Sequence, residues 1–233
     1  MVAYRFEDSR GGDCVARHMR GFAGILQVDG YAAYAQLAKA KAGTNETVTL
    51  AGCWAHLRRR FYELHINGTS TVATQTVTVM AELWKVEDGI RGLDSAVRAA
   101  GRRERSAAIV AKLFALWEAE LRRLPGKSKL AEAIRYAIAR RQALERFIVD
   151  GRVEIDPNIV ERAIRPQTIV RKNAIFAGSD GGGRTWATIA TLLQTCRMND
   201  VDPLAWLTQT LERIAGRWPI SQIDQLMPWN FKS

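Results

Sequence analysis

Two short apolar runs, each followed at once by a stretch of helical composition, constrain this chain more than any other feature. Gly24-Ile25-Leu26-Gln27-Val28 closes on Asp29-Gly30, the form of a buried strand with a carboxylate at its C-terminal tip, and Tyr31 to Lys41 is alanine-rich and helical. Thr47-Val48-Thr49-Leu50-Ala51-Gly52-Cys53-Trp54 is β-branched and apolar, and it runs into His56-Leu57-Arg58-Arg59-Arg60-Phe61, which opens a basic helix. Strands alternating with helices imply an α/β layer. Val2-Ala3-Tyr4-Arg5-Phe6 reads as one more strand, stopped by Ser9-Arg10-Gly11-Gly12, with a short helix from Asp13 to about Met19.

From Thr76 to Ile148 the period changes. Met80, Leu83, Val86, Ile90, Leu93 and Val97 recur at three- and four-residue steps, as do Leu113, Leu116, Trp117, Leu121 and Leu124. Leu124-Pro125-Gly126 breaks the second stripe, and Leu130, Ile134, Ile138 and Phe147 carry a third. The pattern predicts a helical subdomain inserted into the α/β layer; the stripes are too short and too often broken by glycine for a partner-binding coiled coil. Beyond it, Asp156-Pro157-Asn158 has the chemistry of a helix start, with Asp156 as N-cap, and that helix must bend or stop near Pro166. A glycine-rich turn, Gly178 to Arg184, leads to a helix from Trp186 to Arg197; Asp202-Pro203 caps another, and the last dozen residues read as an irregular tail.

The 233 residues carry 34 Lys and Arg against 24 Asp and Glu, a net charge of +10 that favours polyanionic partners such as nucleic acid. Three cysteines, Cys14, Cys53 and Cys196, are an odd and scattered set, which argues against a disulfide framework and for a reducing compartment. No apolar run reaches the roughly eighteen residues needed to span a bilayer, and the first residues are not signal-like, so the chain is expected to be intracellular with no membrane partner.

Two acids stand out by position: Asp29 at a strand tip and Glu161 inside a basic helix. Carboxylates on rigid elements suit a hard divalent cation such as Mg²⁺. Two other readings stay open, in which Asp29 starts a turn and Glu161 pairs with Arg165 four residues on. Arg58, Arg59 and Arg60, with Arg162, Arg165, Arg171 and Lys172 around Glu161, have the chemistry of phosphate contacts or of solvated helix faces. Cys14 with His18 and Cys53 with His56 supply two ligand pairs on paper, but their order matches no common zinc finger, and no zinc is expected. The glycine-rich turn serves as a connector or as a backbone nest for an anion.

Five segments then resemble a known family: LQVDGYAAY at 26–34, CWAHLRRRFYE at 53–63, IDPNIVERAIRP at 155–166, RKNAIFAGSDGGGR at 171–184 and PISQIDQLMPWNF at 219–231. In this order they are similar to the insertion sequence 66 family of bacterial DDE transposases. The resemblance implies an α/β fold built on a partial ribonuclease H-like mixed sheet flanked by helices. Residues 1–70 would belong to the catalytic core, 71–150 to a helical insertion, 151–195 to the return with the acid-bearing helix, and 196–233 to a small C-terminal helical domain. Asp29 would be the second catalytic acid and Glu161 the third, both ligands of Mg²⁺ or Mn²⁺ and facing a common cation. The implied reaction is metal-dependent cleavage and transfer of DNA strands in transposition, on element ends and target DNA, in a cytoplasmic, nucleoid-associated bacterial protein.

The family's first catalytic aspartate lies on a strand upstream of the one expected at Val2, and the chain has no counterpart of it. The chain is therefore expected to be an N-terminally truncated part of a transposase, inactive alone in strand transfer. Its sheet would lack two strands, leaving edges to pair with another chain, either a second copy or an intact transposase. Two rivals remain: a non-catalytic DNA-binding or oligomerisation module, and an independent metal nuclease, which needs a further acid.

Overall fold

The computed structural model describes residues 2–9, 11–40, 47–68, 70–173 and 178–231, without the side chains of residues 40, 158, 159, 161 and 171–173. Two compact units result, one formed by Gly11–Pro157 and one by Met1–Arg10 together with Asn158–Ser233.

The first unit opens with helix α1 (Gly12–His18), strand β1 (Gly24–Val28), helix α2 (Ala32–Ala40) and strand β2 (Val48–Gly52). The strands pair in parallel, Gly24 opposite Val48 through Val28 opposite Gly52, with α2 in the crossover. They are the only ladder among the described residues. β1 is therefore half-buried rather than buried throughout. One edge pairs with β2, and the Gln27 side-chain amide donates to the Glu154 carbonyl at 2.6 Å.

Helix α3 (Trp54–Ile66) leaves β2 directly, and α4 (Thr71–Ile90), α5 (Ser95–Gly101), α6 (Ala107–Leu121), α7 (Lys129–Ile138) and α8 (Arg141–Val149) follow, with a widened π turn at Arg102–Ser106 before α6. Their apolar faces close over the sheet in one core. Trp117 stacks on Phe61 at 5.3 Å between ring centres and meets Phe114 edge-on, while Trp54 meets Phe147 edge-on and donates its indole N–H to Leu144 O at 2.9 Å. All five rings are at most 1% exposed, so truncating any one to Ala should cost about 3–5 kcal/mol.

The helix boundaries follow capping chemistry. Ser70 and Ser128 accept the Ala73 and Ala131 backbone N–H groups at the starts of α4 and α7. The stripe predicted to run on to Val97 stops earlier. Met80, Leu83, Val86 and Ile90 are buried, but Leu93 and Val97 are about half exposed. Gly92, at φ +77°, turns the chain, and Asp94 recaps it by accepting Ala96 N–H at 2.7 Å, so α5 starts on a new axis.

The second unit differs most from expectation. Val2 to Phe6 joins no strand ladder. The Tyr4 N–H donates to Thr191 Oγ1 at 2.9 Å and its phenol to the Ala163 carbonyl, so the segment packs across helices α9 (Asn158–Asn173) and α10 (Asp180–Met198). Helix α9 runs through Pro166 instead of stopping there. Asp156 Oδ2 accepts the Trp84 indole N–H at 2.9 Å within the first unit; the side chains at the start of α9, where Asp156 is expected as N-cap, lie outside the described residues.

The glycine-rich turn is also largely helix. Ser179 caps α10 by accepting the Gly182 N–H at 3.1 Å, which draws Gly181, Gly182 and Gly183 into its first turn. A Cβ at Gly183 would lie 2.5 Å from the Phe6 ring, so this glycine is a packing contact. Helix α11 (Pro203–Ala215) starts as expected, with Asp202 Oδ1 accepting Leu204 N–H at 2.8 Å. The tail forms 3₁₀ turns at Ile220–Leu226 and Pro228–Asn230, held by the buried Trp206 indole N–H donating to Leu226 O at 2.8 Å. Among the described residues no helix is long and apolar enough to cross a membrane.

Candidate functional site

Parallel strands direct their C-terminal ends, and the loops that follow, to one edge of the sheet, where open α/β sheets bind ligands. Asp29 occupies that position on β1, and its side chain is exposed. Its Oδ1 accepts the Tyr31 N–H at 3.0 Å, an Asx turn that fixes the carboxylate against its own loop. No cation pairs with Asp29 among the described residues, and Oδ2 is left for a ligand. An exposed, anchored carboxylate oxygen fits a hard divalent cation.

The loop is held from the helical region. Tyr136 on α7 donates its phenol to Asp29 O at 2.7 Å, and Arg140, just beyond α7, donates to Gly30 O at 3.1 Å. The Arg140 guanidinium lies 3.9 Å from the centre of the Tyr136 ring and that of Arg60 4.0 Å. Burial pushes the Tyr136 phenol above its ordinary value, against the pull of Arg140 and Arg60. Burial also raises the nearby Tyr34 phenol, with the Asp29 charge adding to it. The Tyr136 phenol is thus a protonated donor at neutral pH.

The three arginines of α3 do not share one face. Leu57 and Phe61 are fully buried, so successive arginines fan around the remaining arc. Arg58 lies 5.2 Å from the Tyr62 ring centre and 6.0 Å from that of Trp84; Arg59 is exposed; Arg60 reaches Tyr136 beside the Asp29 loop. A cleft of about 640 Å³ opens next to that loop, lined by Gly30, Lys39, Cys53, Arg140 and Arg146 among others.

Arg162 and Arg165 are exposed on α9. The side chains of Glu161, Arg171 and Lys172 lie outside the described residues, and Glu161 belongs to a different compact unit from Asp29. Among the described residues no three His, Cys, Asp or Glu side chains group to hold a metal ion. The three cysteines are buried and form no disulfide.

Sequence patterning does not single out Tyr136 or Arg140; their contacts span 107 and 110 residues. It also misses Arg102, which is fully buried in the π turn. Its guanidinium donates to both Glu87 carboxylate oxygens at 2.7 Å and to the Phe147 and Val153 carbonyls at 3.0 and 2.8 Å. Arg98 extends the network with a two-pronged contact to Glu154 at 2.8 and 2.7 Å.

Comparison with protein-family models matches residues 1–185 to the transposase IS66 family. The chain belongs to the IS66 family of transposases. Asp29, Arg58 to Arg60, Glu161 and Tyr136 all lie in that stretch, and residues 191–229 match the IS66 C-terminal element, which takes in the end of α10, all of α11, the 3₁₀ turn at Ile220–Leu226 and the first two residues of the next. Three Sinorhizobium fredii (strain NBRC 101917 / NGR234) proteins are similar to this IS66 chain. The protein y4qI is 70% identical over 234 residues, covering 100% of the chain and 43% of y4qI. The protein y4jD is 38% identical over 100% of the chain and 46% of its own length, and y4hP 34% identical over 98% and 43%. The chain therefore spans less than half the length of these curated relatives. No solved structure matches it.

Proposed function

We propose that this chain is the catalytic-core portion of a DDE transposase, with a partial ribonuclease H-like sheet, in which Asp29 and Glu161 supply carboxylate ligands to Mg²⁺ or Mn²⁺. The observation that carries the reading is Asp29 itself. In a family of transposases, an exposed carboxylate sits at the tip of a parallel strand, is locked by an Asx turn, keeps one oxygen open and has two guanidinium groups packed beside its loop. When bound, the divalent ions supply Lewis-acid activation of the attacking hydroxyl in phosphoryl transfer. The chain's own residues orient the substrate: Arg58 to Arg60, Arg162, Arg165, Arg171 and Lys172 contact DNA phosphates, fixing register without reading sequence.

Duplex DNA affinity should fall linearly on a log–log plot with salt, at a slope counting the phosphates neutralised. A flat response refutes DNA binding. In a protein extended to the relatives' length, Asp29→Asn should abolish strand transfer while duplex binding persists; unchanged transfer removes Asp29 from the chemistry.

A second reading, self-association or association with an intact transposase, is favoured by α11. Leu204, Leu211 and Ile214 recur on one helical stripe yet are 73%, 56% and 51% exposed. Sedimentation of the chain checks it; a monomer at high concentration refutes it.

A further inference from the structure

Tyr136 lies between two groups that the proposed chemistry needs together, the acid and a cation for the phosphate. Its phenol is donated to the carbonyl of Asp29 itself, so it acts on the backbone that carries the carboxylate. The next carbonyl, Gly30 O, accepts from Arg140, whose guanidinium lies over the Tyr136 ring. The fit allows no substituent: Gly30 has φ +93°, and a Cβ there would lie 2.3 Å from the Tyr136 phenol oxygen and 2.9 Å from Arg140 Nε. With one carbonyl held from α7, the next held by Arg140 just beyond it, and the carboxylate tied to the Tyr31 N–H, the direction of Oδ2 is set.

Arg60 presents the complementary half. Its guanidinium is stacked 4.0 Å from the Tyr136 ring centre, and among the described residues it makes no hydrogen bond or ion pair. Stacking fixes the plane of a guanidinium while leaving its N–H edge for an anion. We propose that Tyr136 is a positioning residue that aims Asp29 at its cation through the phenol and presents Arg60 to the phosphodiester through the ring. The inference rests on the metal role proposed for Asp29.

The two functions of Tyr136 are separable in the chain as it stands. Mn²⁺ binding is read from paramagnetic broadening of the Gly30 and Tyr31 amide signals, and DNA binding from the anisotropy of a labelled duplex. Asp29→Asn should remove the broadening. Tyr136→Phe keeps the ring and loses the phenol, and should weaken Mn²⁺ about fivefold, as expected for one lost hydrogen bond, with duplex affinity unchanged. Arg60→Ala should reduce duplex affinity and lower the salt slope by about one, leaving Mn²⁺ broadening intact. Tyr136→Leu should show both losses.

If Asp29→Asn removes the broadening and Tyr136→Phe does not alter it, the positioning role is overturned while the metal role of Asp29 stands. If Asp29→Asn changes nothing, the metal role itself falls. If Tyr136→Phe weakens both readouts in step with a lowered melting temperature, the residue merely ties α7 to the sheet and the inference fails.

Discussion

The Arg102–Glu87 pair offers the sharpest test of what holds the helical region together. Arg102 is fully buried and Glu87 4% exposed, so neither charge has water to fall back on. Glu87→Leu leaves the guanidinium with its carbonyl contacts only. An uncompensated buried charge of this kind costs about 3–5 kcal/mol. Arg102→Met should be worse. It strands Glu87, whose remaining cation is Arg98 at 3.8 Å, and it strips the Phe147 and Val153 carbonyls of their donor. A buried carbonyl left without a partner costs about 1–3 kcal/mol, so the total should exceed 5 kcal/mol. Phe147 lies in the last turn of α8, where carbonyls have no helical partner; Arg102 therefore serves also as that helix's C-terminal cap.

The double variant removes both charges and keeps only the carbonyl penalty, so the two losses should overlap by about 6 kcal/mol or more, the sum of the two stranded-charge costs. Urea unfolding followed by tryptophan emission reads this directly, since Trp54 and Trp117 are fully buried in the same core. Losses that add to within about 0.5 kcal/mol would refute the reasoning, because groups that share no interaction behave that way. So would an Arg102→Met variant as stable as the parent.

Three further outcomes follow from local geometry. Gly30→Ala should destabilise the Asp29 loop, by the positive φ and the phenol contact together, and abolish the protection of the Tyr31 amide in hydrogen exchange. Gly183→Ala forces a methyl within 2.5 Å of the Phe6 ring and should cost about 1–3 kcal/mol, with much of it recovered by adding Phe6→Leu; no recovery would mean that the ring is not the obstacle. The hydrogen bond from Arg152 holds the Asp150 carboxyl at about 2, well below the usual carboxylate range. A depressed carboxylate contributes stability above its unfolded value and loses it as pH falls towards 2, so Arg152→Ala should narrow the stability gap to the parent in acid and shift the Asp150 carboxyl resonance midpoint upward.

Sequence reading succeeded where the signal is local and failed where it is a pairing. The two strands, α2, α3 and the start of α11 are written in period, β-branching and caps spaced within a few residues, and each stands where expected. Val2 to Phe6 has strand composition, but a strand exists only through its ladder, and here the donors go to Thr191 and Ala163. The glycines after Ser179 look like a linker until the cap and the Phe6 ring are placed against them. Leu93 and Val97 keep the helical period although the chain has already turned at Gly92.

The same division runs through the candidate site. The place of Asp29 is legible because an acid and a glycine closing an apolar run mark the end of a strand and the start of a turn, and the Asx turn to Tyr31 is there. Nothing local marks Tyr136, because its role depends on α7 lying across that strand end, on Gly30 being small enough to admit the phenol, and on Arg60 and Arg140 converging from elements 80 residues apart in sequence. That dependence has a consequence for how an IS66 chain tolerates change. Substitutions anywhere in α7 that tilt its axis would move the Asp29 carbonyl contact without touching the acid, so the helical region, distant from the carboxylate in sequence, is coupled to its aim through one phenol and one glycine.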